Sequence, residues 1–227
     1  MQLKEIEKLA ASVMEKAVDA KEVAGVNLLV LKDKAPVLSL HAGYADLENK
    51  VLMEDDTIMR LYSMSKPVTA ACMMILMQRG LVDLNDPVSK FIPAFANQTY
   101  VNGNTLSLVQ RQMTVHDLLF MTSGLSYGSD SAAGKATSDL FAEMDTRLST
   151  EDAMTTREFA DRVGKNPLEF EPSSNFMYGV SADILGALIE VISGMSFAEF
   201  LKKEITDPLE MPDTGFFRSC AKAVSSF

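Results

Sequence analysis

Ser63-Met64-Ser65-Lys66 opens directly onto the apolar run Val68 to Met77, and the stretch from Thr57 to Gly80 constrains this chain more than any other. Pro67 fits only the first turn of a helix, where its missing N–H costs nothing. The helix is therefore expected to start near Ser63 and to end at Gly80. Residues three apart on a helix share a face, so the amine of Lys66 can reach the hydroxyl of Ser63. The positive end of the helix dipole favours an alkoxide and disfavours an ammonium. A serine becomes a competent nucleophile when a neighbouring base can take its proton. Burial and the dipole are both expected to lower the Lys66 pKa from its reference of about 10.4. A helix apolar around its whole circumference belongs at the centre of its domain.

The 227 residues suffice for one or two domains, and 47% hydrophobic residues suffice for a packed core. A net charge of −10 argues against nucleic acid and against anionic membrane as partners. The run Val68–Met77 is far short of the roughly 20 residues that span a bilayer. The N-terminus has no basic region followed by an apolar one, so no signal peptide is read and a cytoplasmic location is expected. Cys72, in the apolar run, reads as a small core residue. Neither histidine, His41 nor His116, belongs to a cluster with metal-ligand spacing, so no metal is expected.

The remaining elements follow in order. Leu3, Ile6, Ala10, Val13 and Ala17 recur at helical spacing, predicting a helix over Leu3–Ala20. Val23–Leu31 and Pro36–Tyr44 read as two strands of a hairpin around Lys32–Ala35, with His41 structural. Asp46–Asp56 reads as a polar connection and Ala96–Leu108 as a loop. Thr114 is expected to cap a helix through Met121. Tyr127–Thr137, rich in Gly, Ser, Ala and Asp, reads as a flexible surface loop. Helices are expected over Asp139–Leu148, Thr156–Gly164 and Ser196–Ile205. A strong one, capped by Ser181, ends at Gly194.

Two other patterns compete for the chemistry. Gly124-Leu125-Ser126-Tyr127-Gly128 matches G-x-S-x-G, but that motif works only on a sharp strand-to-helix turn. Here a helix precedes it, a polar loop follows, and its base would have to be His116. Gly128 to Lys135 resembles a phosphate loop with one residue too many between its glycines, and Ala136 where Ser or Thr must bind magnesium. Tyr178, ahead of the Ser181 helix, can act as general acid or base if a cation such as Lys66 lowers its phenol pKa.

The order of these segments carries a resemblance. Leu61-x-Ser63-x-Ser65-Lys66 is followed by Gly80-Leu81-x-x-Leu84-x-Asp86-Pro87-Val88-Ser89-Lys90-Phe91-Ile92-Pro93. Then come Thr114-Val115-His116-Asp117-Leu118-Leu119-x-Met121-Thr122-Ser123-Gly124-Leu125 and Phe176-x-Tyr178-Gly179-Val180. Ile205-x-Asp207-Pro208-Leu209-Glu210-Met211 closes the series. From Val23 to Phe217 the chain resembles serine hydrolases of the class C β-lactamase and penicillin-binding-protein superfamily, and most of all the family VIII carboxylesterases. The resemblance implies Ser63 as acyl-forming nucleophile, Lys66 as the first-motif base and Tyr178 as the second-motif general base. It also implies that the Ser63 N–H forms half of an oxyanion hole, that no cofactor is needed, and that Ser126 is not catalytic.

The departures from that pattern are informative. Val180 stands where the lactamases have Asn, Ser173 where the family usually has Gly after Pro172, and Glu210 where it has Gly. No third motif (K-T-G, H-x-G or W-G-G) follows Tyr178, and Arg218–Phe227 does not read like the family's continuation, so a truncated chain is expected. The expected fold is α+β of the β-lactamase/transpeptidase type. Residues 1–56 would supply a helix and hairpin of the sheet domain, 57–217 a mostly helical active-site domain and 218–227 an atypical tail, with the C-terminal strands missing. The expected activity is hydrolysis of a small-molecule ester or β-lactam through acyl-Ser63, with oligomers possible. The rival of another class is a catalytically silent remnant acting, if at all, as a binding or interaction protein. A G-x-S-x-G lipase would need a strand before Ser126.

Overall fold

The computed structural model describes residues 3–216, which form two compact units, 3–61 and 62–216. The 218–227 tail and Cys220 lie outside the described residues.

The first unit is a helix on a small antiparallel sheet. Helix α1 (Leu3–Asp19) packs on strand β2. Its inner stripe runs Ile6, Ala10, Met14, Ala17, with Met14 buried, whereas the expected Val13 is 59% exposed. A single position rotates the stripe, because Met14 and not Val13 completes the i, i+4, i+8 row from Ile6. Strands β1 (Gly25–Lys32) and β2 (Ala35–Asp46) pair with Leu28 opposite Leu40 and Lys32 opposite Ala35. The two residues between them, Asp33 and Lys34, both have positive φ, 52° and 66°, the geometry whose twist matches a tight hairpin. Pro36, which has no N–H to donate, sits opposite Leu31 where the register shifts. A third strand, β3 (Val51–Leu52), extends the sheet in the order β1-β2-β3. It lies inside the expected polar connection and is too short for its alternation to show in sequence.

The second unit is mostly helical. A 3₁₀ turn at Tyr62–Met64 leads into α2 (Ser65–Gln78), so Ser63 precedes the helix instead of starting it. Two further 3₁₀ turns, Val88–Lys90 and Pro93–Phe95, are followed by a hairpin of β4 (Thr99–Asn102) and β5 (Thr105–Leu108), in place of the expected loop. Its turn is Gly103-Asn104, with Asn102 paired to Thr105, a two-residue hairpin signal set between short, mostly polar strands. Then come α3 (Val115–Leu119), α4 (Ala132–Arg147), α5 (Thr156–Val163), α6 (Ser181–Ser193) and α7 (Phe197–Leu201). Ser131 caps α4 by accepting from the Gly134 N–H, so half of the expected flexible loop is helix. A π-helical turn, Lys202–Thr206, continues α7.

The centre of this unit is α6, not α2. Residues 184–189 of α6 are all buried, and α2, α3, α5 and α7 pack around it. In α2, Cys72, Met73 and Leu76 are buried but Met74 is 53% exposed, so its apolar circumference is only partly used within the unit. Burial pushes the Cys72 thiol up to about 11, as expected of an inert core cysteine. Gly194, at φ 71°, ends α6 in the left-handed conformation that glycine adopts at no steric cost. Ion pairs tie the periphery. Arg79 grips Glu204 bidentately, and Glu143 receives Arg162 and Arg147, whose hydrogen bonds hold its carboxyl down at about 2.

Candidate active site

Ser63 and Lys66 meet at the start of α2. The Lys66 ammonium donates to Ser63 Oγ at 3.1 Å. The spacing survives the change of helix type because i and i+3 eclipse in a 3₁₀ turn. Tyr62, immediately before Ser63, has φ 46°. A left-handed non-glycine residue costs on the order of 1–3 kcal/mol and must be held by its surroundings. Here Ser65 Oγ donates to the Tyr62 carbonyl at 2.6 Å, and Thr69 Oγ1 donates to the Ser65 carbonyl at 3.2 Å. The bend leaves the Ser63 side chain exposed at the mouth of the helix.

Tyr178 reaches the same place from the segment before α6, and that segment is anchored on both sides. The Met177 N–H donates to the Met121 carbonyl at 2.9 Å. A Cβ on Gly179 would lie 2.0 Å from the Leu125 carbonyl oxygen, so only glycine allows this approach. The hydroxyls of Ser181 and Ser123 share a buried hydrogen bond of 2.8 Å, and Val180 is completely buried. Ser181 is thus the first residue of α6, spent on this lock instead of capping the helix. The loop carrying Met121 and Ser123 is fixed by Asp117, whose side chain is 1% exposed. Its carboxylate accepts from Arg111, from the Thr114 N–H and hydroxyl, and from Thr122. Burial presses its pKa upward, but these donors outweigh it and hold the group below the usual carboxylate range.

The electrostatics reverse one expectation. Lys66 Nζ lies 4.7 Å from the centroid of the Tyr178 ring and 5.5 Å from that of Tyr127, and the two rings are 5.8 Å apart. Burial pulls the Lys66 pKa down, but the Tyr127 and Tyr178 phenols outweigh it, so the pKa lies above its ordinary value. The opposite shift falls on Tyr178, whose phenol is lowered first by Lys66 and then by Ser63. The pair is therefore shifted in opposite senses: Lys66 holds its proton more firmly than a free lysine, and Tyr178 less firmly than a free phenol. Tyr127 was missed because it lies inside the G-x-S-x-G decoy and the segment read as a surface loop; a phenol directly after a helix stop was the available signal.

The competing serine is poorly placed. Ser126 is 5% exposed, its Oγ has no hydrogen-bond partner, and helix α3 lies where a strand would be required. His116, the base it would need, is exposed and stacks on Phe120 with ring centroids 4.3 Å apart. Among the described residues there is no group of three or more His, Cys, Asp or Glu able to hold a metal ion, and no single helix is long and apolar enough to cross a membrane.

Comparison with known proteins places the chain in a family. A family model described as Beta-lactamase matches residues 10–223. Esterase EstB of Burkholderia gladioli is 30% identical over 210 residues, covering 90% of this chain and 50% of the esterase. Protein flp of Staphylococcus aureus is 25% identical over 211 residues, covering 90% of this chain and 37% of that protein. Among solved structures, EstCE1, described as a hydrolase with promiscuous acyltransferase activity, superposes with a TM-score of 0.77 at 28% identity, over 93% of this chain and 53% of its own. The octameric penicillin-binding protein homologue from Pyrococcus abyssi superposes at 0.68 and 26% identity, over 93% and 44%. The chain spans about half the length of the curated relatives it matches. With the family model covering all but a few residues at each end, the chain belongs to the Beta-lactamase family.

Proposed function

We propose that this chain carries the acylating machinery of a serine hydrolase acting on small esters, with Ser63 as nucleophile, Tyr178 as general base and Lys66 as the cation that holds Tyr178 in its reactive state. The observation that supports this most is the 3.1 Å contact between Lys66 Nζ and Ser63 Oγ, set beside a phenol whose pKa that lysine lowers. In the proposed step Tyr178 takes the Ser63 proton as Oγ attacks the ester carbonyl. The developing oxyanion is met by the Ser63 N–H at the positive end of α2. Collapse expels the alcohol, which recovers the proton, and leaves acyl-Ser63 for water to cleave.

Esters are the favoured substrates over β-lactams because the residue two after Tyr178 is Val180, whose side chain is wholly buried and offers no hydrogen bond to an acylamide. Protein similarity to an esterase and to a hydrolase with acyltransferase activity supports the same choice. The test is burst kinetics with p-nitrophenyl acetate against nitrocefin, with Ser63→Ala as control. A stoichiometric burst with the ester, lost in Ser63→Ala, and a lower kcat/KM for nitrocefin are expected. A higher kcat/KM for nitrocefin overturns the substrate choice, and a burst that survives Ser63→Ala overturns the nucleophile.

A further inference from the structure

Gly186 is an unexpected residue at its position. It lies in the interior of α6, where glycine is a much poorer helix former than alanine. Elsewhere in this unit, buried glycines answer a close approach: a Cβ on Gly179 or Gly134 would fall 2.0 Å from backbone, and one on Gly164 would fall 2.7 Å from the Phe95 ring. A Cβ on Gly186 would meet nothing closer than the Phe197 ring at 3.4 Å, an ordinary contact. Packing therefore does not require this glycine. What its missing side chain does is leave space, for Gly186 lines a cavity of about 310 Å³ in the helical unit.

The lining of that cavity is mixed: Lys66, Asp183 and four Ser and Thr residues stand beside apolar side chains that include Phe141, Met144, Phe159 and Phe197. Lys66 belongs to both places, since its ammonium also touches Ser63 Oγ at 3.1 Å. The cavity thus begins within one side chain of the proposed nucleophile. Asp183 is opposite in sign to Lys66, and burial raises its carboxyl pKa while Lys66 pulls it back, so the wall presents no unopposed cation to hold an anionic occupant. A volume of about 310 Å³ is at the low end of the roughly 300–1,000 Å³ typical of small-ligand sites, and aromatic and thioether walls suit a flexible hydrocarbon chain.

We propose that this cavity is the acyl-chain pocket of the site, that it selects esters of uncharged medium-length aliphatic acids, and that Gly186 sets how long an acyl chain it admits. The proposal rests on Ser63 being acylated, as argued above. No atom of the substrate changes beyond that reaction: the acyl carbonyl carbon bonds to Ser63 Oγ, the alcohol departs with the proton, and the alkyl tail lies in the cavity.

The test is the second-order rate of Ser63 acylation by p-nitrophenyl esters from acetyl to decanoyl, followed by intact-protein mass spectrometry, which needs no deacylation. Each methylene that enters an apolar pocket is worth about 0.8 kcal/mol, or about fourfold in rate. The rate is expected to climb with chain length until the cavity fills, and then to level. Gly186→Leu keeps a good helix former and fills the space; it should lower the octanoyl-to-acetyl rate ratio by at least about tenfold, the worth of two methylenes. A flat series in the native chain, or an unchanged ratio in Gly186→Leu, overturns the pocket. Melting of Gly186→Ala, expected to be higher than native, shows that substitution here does not unfold α6. If no ester acylates Ser63, the reading of the site has failed and the pocket is judged separately, by titrating octanamide into Ser63→Ala. Binding that is lost in Ser63→Ala/Gly186→Leu upholds the cavity as an aliphatic-chain site, and no binding overturns it.

Discussion

Lys66 Nζ lies 3.1 Å from Ser63 Oγ and 4.7 Å from the centre of the Tyr178 ring, so one ammonium joins the other two side chains of the site. Its charge does different work on each partner. It donates to the serine oxygen, and it lowers the pKa of the tyrosine more than any other group does.

Tyr178→Phe removes only the hydroxyl, while the anchors at Met177, Gly179 and Ser181 remain. Folding should persist, with an unchanged melting temperature, while Ser63 acylation slows by roughly 10²–10⁴-fold, the usual worth of general base assistance. An unchanged acylation rate, measured by stopped-flow with p-nitrophenyl acetate, would reduce Tyr178 to packing.

The pH dependence follows from the same shift. A base must be deprotonated to act, so acylation should rise with pH on a limb centred below the ordinary phenol value of about 10. Lys66→Met removes the first cause of the lowering. It should move that limb to higher pH as well as reduce the rate, which a rate profile from pH 6 to 11 would reveal. A limb that stays in place in Lys66→Met would assign the titration to another group.

Asp117 tests the scaffold behind the site. Its folded pKa is depressed, so it adds stability that is fully present above its unfolded pKa of about 4 and is lost as pH falls through the lower folded value. Asp117→Asn should lower stability by about 1–3 kcal/mol at neutral pH, because donors on Thr114 and Arg111 lose a charged acceptor. The deficit relative to native should shrink below about pH 4. Urea titrations at pH 7 and pH 3 measure both.

Two departures from the resembled pattern acquire a physical cost. Ser173 and Glu210, where the family usually has glycine, both have positive φ, 72° and 54°. Each holds a left-handed backbone conformation that glycine would suit better. Ser173→Gly and Glu210→Gly should each raise stability, by about 1 kcal/mol before the greater unfolded-state freedom of glycine is subtracted. Thermal melts of both variants check this; a loss of stability in both would show that side-chain contacts outweigh the backbone strain.

How much of this was legible in the sequence depended on the range of the signals. Tyr178 could be singled out only through the order of motifs in the resembled family, because a tyrosine ahead of a helix is by itself most often packing, whereas S-x-x-K marks Ser63 and Lys66 by a local spacing. The Asp33–Lys34 hairpin and the Gly194 stop were legible for the same reason. The centrality of α6 was not, because α2 carries the long apolar run Val68–Met77 and only tertiary contacts decide which helix is surrounded. The Lys66 pKa was misjudged because the expectation counted burial and the dipole, while two phenols from segments more than 60 residues away decide the balance. The space beside Gly186 cannot be seen in one dimension at all, since it is bounded by residues from Ser65 to Phe216.

The most direct measurement is to treat the purified chain with a fluorophosphonate and locate the adduct by peptide mass spectrometry. The account predicts one adduct, on Ser63, retained in Ser126→Ala and absent from Ser63→Ala. An adduct on Ser126 that survives Ser63→Ala, or no adduct on the folded chain, would contradict it.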